Sequence, residues 1–204
     1  MIDLILLYIL IIIVFIIFGF VIIGYFLNDN VAPFVSNIDG NNYAVRKDGT
    51  DEEKQNAANY LALVHDRIEK IVNYVNQHDL PNKDAAKRLF SRWNSCQLKE
   101  TSSNEKSAAY TLNKCSELRI CIRKTNGEFE NINTTMFVIL HELAHVMSIS
   151  FGHEEEFKEN FSYLVHLASK LGLYKPEDFN NSPKTYCGVE INSTPCQNGS
   201  CSFR

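Results

Sequence analysis

From Thr134 to about Ile149 the chain is apolar almost all the way round, through Met136, Phe137, Val138, Ile139, Leu140, Leu143, Ala144, Val146 and Met147. A helix of that composition has no face to offer solvent, so other elements must surround it. Whatever this chain folds into, that helix is central. It nevertheless carries His141-Glu142-Leu143-Ala144-His145, an HExxH motif. Histidine and glutamate are costly to bury without partners, and a dication with a bound water removes that cost. The spacing suits such an ion. Positions four apart stand one turn apart on one helix face, so His141 and His145 can both reach one zinc at about 2.0–2.1 Å. Glu142, rotated by about 100°, can address a water on the same zinc.

Two protein ligands leave zinc one short. His153 lies eight residues past His145, about 12 Å further along the axis if the helix simply continued, so a turn must bring it back. Phe151-Gly152 is read as that turn. His153 is the expected third ligand, with Glu155, Glu156 and Glu159 as the alternatives. The isolated His65, His78 and His166 are read as surface or core residues.

The surrounding pattern predicts an α+β domain over residues 50–190, with a short antiparallel sheet beside the central helix. Thr50 and Glu53 form a capping-box pattern that opens a helix reaching about His78, with Ala57, Leu61, Val64, Ile68, Ile71, Val72 and Val75 inward. A second helix covers about Asp84 to Trp93, with Trp93 in the core. Ala109–Leu112 and Leu118–Arg123 read as strands. The second alternates strictly, which predicts a half-buried strand near a sheet edge with Arg119 and Arg123 solvated. Asn133 is the expected N-cap of the central helix, and Glu154 to Leu171 forms the last helix. Residues 191–204, with Cys196 and Cys201, are expected to form a poorly ordered tail.

The N-terminal end has a different character. Leu4 to Leu27 is a 24-residue run without a charge. As one helix it rises about 36 Å against a hydrocarbon core of about 30 Å, which predicts a transmembrane anchor over residues 1–27. No Lys or Arg precedes the run, and it exceeds the apolar stretch of a cleavable signal peptide, so the anchor is expected to be retained. Residues 28–49, rich in Asn, Asp and Gly, read as a juxtamembrane linker. Arg46 and Lys47 then favour a cytoplasmic domain with its six cysteines reduced; Asn-x-Ser/Thr triplets at Asn133, Asn160, Asn192 and Asn198 would matter only in the opposite orientation. From Asn28 onward 20 basic residues face 23 acidic ones. That balance leaves no excess positive charge to neutralise phosphates, so no nucleic-acid partner is expected.

With HELAH in place, Gly152-His153-Glu154-Glu155-Glu156-Phe157 follows as Gly-His-x-x-Glu-Phe. Together these segments resemble the zinc metallopeptidases of the WLM and SprT-like group, including relatives in large DNA viruses. The resemblance runs from about Asn131 to Tyr174 and extends towards Pro195 through Tyr186-Cys187-Gly188. It implies a zincin-like fold, His141, His145 and His153 as zinc ligands, Glu142 as general base and Phe157 in the core. It also implies that an edge strand, here Leu118 to Arg123, aligns an extended peptide substrate. Tyr186 is a candidate for holding the oxyanion, against the reading of a core or loop tyrosine; Glu156 either supports a ligand imidazole or is a solvated carboxylate at a helix start. Two departures from the group are the absence of a basic tail and the apolar N-terminal run. Repair of DNA–protein crosslinks is accordingly not the expected task.

Overall fold

The computed structural model describes Tyr8 and residues 10–20, 30–78, 82–124 and 126–195. The described residues fall into two units, divided between Asn30 and Val31. In the first unit, residues 10–20 are helical, a rise of about 16 Å, little more than half of a bilayer's hydrocarbon thickness. Among the described residues no helix is long and apolar enough to cross a membrane. This overturns the expected transmembrane anchor and, with it, the single-pass membrane localisation. Residues 4–7, 9 and 21–27 of the apolar run lie outside the described residues, as do Cys196, Asn198 and Cys201 of the tail.

In the second unit, residues 31–46 of the expected linker form two strands instead. Val31–Val35 (β1) and Asn42–Arg46 (β2) pair antiparallel from Val31↔Arg46 to Val35↔Asn42. Tyr43 and Val45 point into the core at 4% and 1% exposure. Pro33 is accommodated because β1 is an edge strand, where a missing donor can face away from the ladder.

Helix α1 (Asp51–Gln77) opens with the expected capping box: Thr50 Oγ1 accepts from Glu53 N, and Glu53 accepts from Thr50 N. Its apolar stripe, Ala57 through Val75, is buried. Helix α2 (Lys83–Trp93) follows, with Trp93 buried as expected. The chain then forms β3 (Gln97–Glu100), β4 (Ala109–Leu112) and β5 (Glu117–Ile120). The sheet is mixed rather than antiparallel. Its order is β1-β2-β3-β5-β4, with β3 parallel to both β2 and β5, and β4 antiparallel to β5.

This order corrects two further expectations. The strand expected at the edge is internal, flanked by β3 and β4, and β4 takes the edge. Arg119 and Arg123 are therefore buried, at 9% and 5% exposure. Arg123 makes a two-pronged contact with Glu100, Nε to Oε1 at 2.7 Å and Nη2 to Oε2 at 2.8 Å. Arg46 adds its backbone N–H at 2.8 Å and its Nε at 2.9 Å to the same carboxylate. Arg119 pairs with Glu117 at 2.8 Å and Glu105 at 3.4 Å.

Helix α3 (Ile132–Met147) is the apolar helix, packed against α2, α4 (Glu155–Lys170), β4 and β5. Its N-cap is Asn131, which accepts from Asn133 N and Thr134 N. Asn133 instead ties down the loop after α4, exchanging hydrogen bonds with Lys175 N and O at 2.7 and 2.9 Å. A hairpin of β6 (Lys184–Tyr186) and β7 (Val189–Ile191) follows. The cysteines expected as thiols are paired as Cys96–Cys115 and Cys121–Cys187. The second bridge closes 66 residues that contain α3 and α4, a constraint that acts largely by restricting the unfolded chain.

Candidate metal centre

Helix α3 ends sooner than its apolar pattern suggested. Ser148 is the C-cap, with extended backbone, and its hydroxyl donates to Ala144 O at 2.7 Å while accepting from the buried Asn160 amide at 2.8 Å. The chain leaves the helix here, four residues before Gly152, and that departure brings His153 back. Gly152 does not adopt the left-handed conformation that would require glycine. The turn therefore depends on the Ser148 cap.

The returning loop places His153 Nε2 at 3.1 Å from His145 Nε2 and at 3.0 Å from His141 Nε2. Three imidazole nitrogens meeting at one point are not a hydrogen-bond chain, because the central nitrogen carries at most one proton. They suit a cation: three ligands at about 2.0–2.1 Å in a tetrahedral site stand about 3.3 Å apart. Burial, followed by the neighbouring histidines, lowers His141 to a pKa of about 4. Burial, followed by His153 and Lys114, does the same for His145. Both rings are thus neutral at pH 7, with lone pairs available to a metal. Among the described residues this is the one group of three or more His, Cys, Asp or Glu side chains whose ligand atoms converge.

Of the expected ligands, His141, His145 and His153 come together and Glu155, Glu156 and Glu159 do not join them. Glu156 takes neither role foreseen for it. Its Oε1 accepts from Arg88 Nη2 at 2.6 Å and its Oε2 from Ile149 N at 2.9 Å, fastening α4 to the loop that carries His153. Phe157 lies beneath the triad as the resemblance implied, its ring centroid 4.3 to 4.9 Å from those of the three histidines. His65 is occupied with Trp93, Tyr43 and Glu69, and His78 stacks on Tyr74.

Glu142 stands on the same helix turn, 8% exposed. Burial alone raises its carboxyl to a pKa of about 7. No hydrogen bond or ion pair reaches that carboxylate among the described residues. Tyr186 cannot serve as an oxyanion donor. Its ring is fully buried and its hydroxyl donates to Cys121 O and lies 3.3 Å from Thr135 Oγ1, in a network under the first turn of α3 that Tyr60 completes.

Sequence reasoning missed the cations at the C-terminal end of α3. Arg88 Nε donates to Met147 O at 3.0 Å; Arg92 donates to Val146 O and, at 2.9 Å, to Ser148 O. Lys114 donates to His145 O and Ser148 O, each at 3.2 Å, and to Ser150 O. Cations here complement the exposed carbonyls and the negative end of the helix dipole. They come from positions 31 to 59 residues away, so no local pattern could announce them.

No protein-family model matches the chain. A crystal structure of a Wss1 mutant from S. pombe is similar over 69% of this chain and 100% of that chain, with a TM-score of 0.41 and 17% identity. Three viral proteins are similar in sequence. "Uncharacterized protein 136R" of Invertebrate iridescent virus 6 is 37% identical over 82 residues, 39% of this chain and 44% of that protein. "Uncharacterized protein 042R" of Invertebrate iridescent virus 3 is 36% identical over 86 residues, 42% of this chain and 52% of that protein. "Uncharacterized protein R325" of Acanthamoeba polyphaga mimivirus is 31% identical over 142 residues, covering 68% of this chain and 72% of that protein. The chain belongs to the family of that mimivirus protein.

Proposed function

We propose that the chain is a zinc-dependent peptidase, with His141, His145 and His153 holding the metal and Glu142 acting as general base. One observation carries the reading. Three imidazoles converge beside a buried carboxylate whose pKa burial has raised to about 7, and a group poised near the working pH both accepts and returns a proton efficiently. The HELAH and Gly-His-x-x-Glu-Phe resemblance supports the same assignment.

Zinc bound by three protein ligands with one open position supplies an acidified water and polarises a carbonyl oxygen. The protein's own part is then definable. His141 and His145 are fixed by the helix and His153 by the loop that Ser148, Glu156 and Lys114 hold in place. Glu142 takes a proton from the attacking water and delivers it to the leaving amine. The unpaired edge of β4, packed beside α3, offers backbone donors and acceptors along which an extended peptide can add as a strand.

The test is metal content with hydrolysis. The purified protein is expected to hold one zinc per chain and to cleave members of a diverse peptide library, with cleavage lost to a chelator and restored by added zinc. A protein that holds zinc and cleaves nothing would overturn the peptidase reading and leave a structural metal.

A further inference from the structure

The turn from β4 to β5 contains three consecutive non-glycine residues in the left-handed region: Asn113, Lys114 and Cys115, at φ 45°, 59° and 103°. An L side chain in that region crowds its own backbone, and such a stretch persists only where its surroundings hold it. Here the hold is visible. Cys115 is 2% exposed and bonded to Cys96, three residues past the end of α2. The N–H groups of Cys115 and Ser116 both donate to Leu112 O at 2.8 Å.

This conformation delivers the Lys114 ammonium to the metal site. A lysine has three N–H donors, and Lys114 meets three carbonyls, those of His145, Ser148 and Ser150. Its Nζ also lies 4.3 Å from the centroid of the Phe151 ring, which is 82% exposed. The first carbonyl belongs to one ligand residue. Ser150 and Phe151 lie in the loop that delivers another. Arg88 and Arg92 also bond carbonyls at the helix end, but of the three cations only Lys114 touches Ser150 and Phe151.

We propose that Lys114, anchored by the Cys96–Cys115 disulfide, is a positioning residue for the metal centre: it fixes the loop that brings His153 to His145 and so sets the affinity with which the three histidines take zinc. The proposal rests on the metal reading above. The physical basis is a population. If the loop holds His153 in place only part of the time, the apparent dissociation constant rises by the reciprocal of that fraction.

The experiment is zinc competition against a chromophoric chelator, on the full chain and without reductant. Lys114→Met is expected to weaken zinc binding by roughly 10- to 100-fold, the range for losing a group that orients a ligand. Lys114→Arg, which keeps the donors, is expected to recover most of that loss. The pair Cys96→Ser/Cys115→Ser, which leaves the lysine but frees its anchor, should weaken binding by a smaller factor. Combined with Lys114→Met it should add nothing, because both changes act through one ammonium group. A folded Lys114→Met protein with wild-type affinity would overturn the proposal, and so would losses that multiply in full. Should Lys114→Met not fold, the cysteine pair decides, and wild-type affinity there overturns it. Because no peptide cleavage is read, the outcomes separate. A wild type that binds no zinc sinks the metal reading and this proposal together, whereas equal affinity in wild type and variants sinks this proposal alone.

Discussion

The buried polar cluster around Glu100 and the one around Glu142 are built in opposite ways. Glu100 is 1% exposed and receives four donors, two each from Arg46 and Arg123. It joins β2, β3 and the chain beyond β5, and none of its bonding capacity is left over. Glu142 is 8% exposed and has no partner among the described residues, while the three nearby imidazoles turn their nitrogens to one point. The desolvation of a buried charge is offset only where good geometry and full hydrogen bonding accompany the pairing, as they do at Glu100. Burying a carboxylate without partners raises its pKa instead. The fold holds the second cluster in an arrangement that is unfavourable in isolation, and such sites are where chemistry is expected.

The comparison can be broken at either end. Replacing His145 by Ala removes a ligand outright. Its effect on zinc affinity is expected to exceed the roughly 10- to 100-fold typical of outer partners, and to lower the zinc-dependent rise in thermal stability with it. Unchanged zinc content would mean that the triad is not the site. Replacing Glu100 by Ala should leave zinc content intact and destabilise the fold by about 3–5 kcal/mol, because Arg123 would remain buried without its counter-charge. Urea unfolding measures this, and a loss below about 1 kcal/mol would show that the pairing is not what holds the sheet.

The third test uses pH on the metal-free protein. His141 and His145 are depressed to about 4 from an ordinary 6.5, so the folded state binds fewer protons than the unfolded one between those values. Stability from these two groups is therefore present above pH 6.5 and lost as pH falls towards 4. Glu142 acts in the reverse direction. Raised to about 7 from 4.5, it favours the folded state below 4.5, and that contribution is lost as pH rises through 7. Two histidines outweigh one glutamate. Urea midpoints should fall from pH 6.5 to 4.5, and more steeply in Glu142→Gln, which lacks the opposing contribution. Parallel profiles in the two proteins would contradict the raised pKa of Glu142.

Much of this was legible in the sequence, for reasons that the particular residues make plain. The capping box at Thr50 and Glu53, the stripe from Ala57 to Val75 and the HExxH spacing are local patterns, and each appears in the structure where its period placed it. What escaped depends on residues far apart in the chain. The β1–β2 hairpin carried a short alternation in Tyr43 and Val45, which the Asn- and Gly-rich segments around it obscured. Arg119 and Arg123 looked solvated because their strand alternates, but β4 took the edge and Glu100 supplied a buried partner 23 residues before Arg123. Cysteine pairing cannot be deduced from spacing alone. An uninterrupted apolar run constrains composition more firmly than architecture: residues 10–20 are helical, but no described helix is long and apolar enough to cross a membrane. The cations behind the metal site were invisible for the same reason as Glu100, since Arg88, Arg92 and Lys114 meet α3 only in the folded chain.

The central claim is that Glu142 is left unpaired because it handles a proton, and Glu142→Gln tests it most directly. The amide keeps the shape of the side chain but cannot take up a proton from water at neutral pH. Zinc content and the unfolding midpoint at pH 7 should stay at or above those of the wild type, while the rate of peptide cleavage falls by about 100-fold or more. Full activity in a folded, zinc-loaded Glu142→Gln protein, on a peptide that the wild type cleaves, would contradict the account.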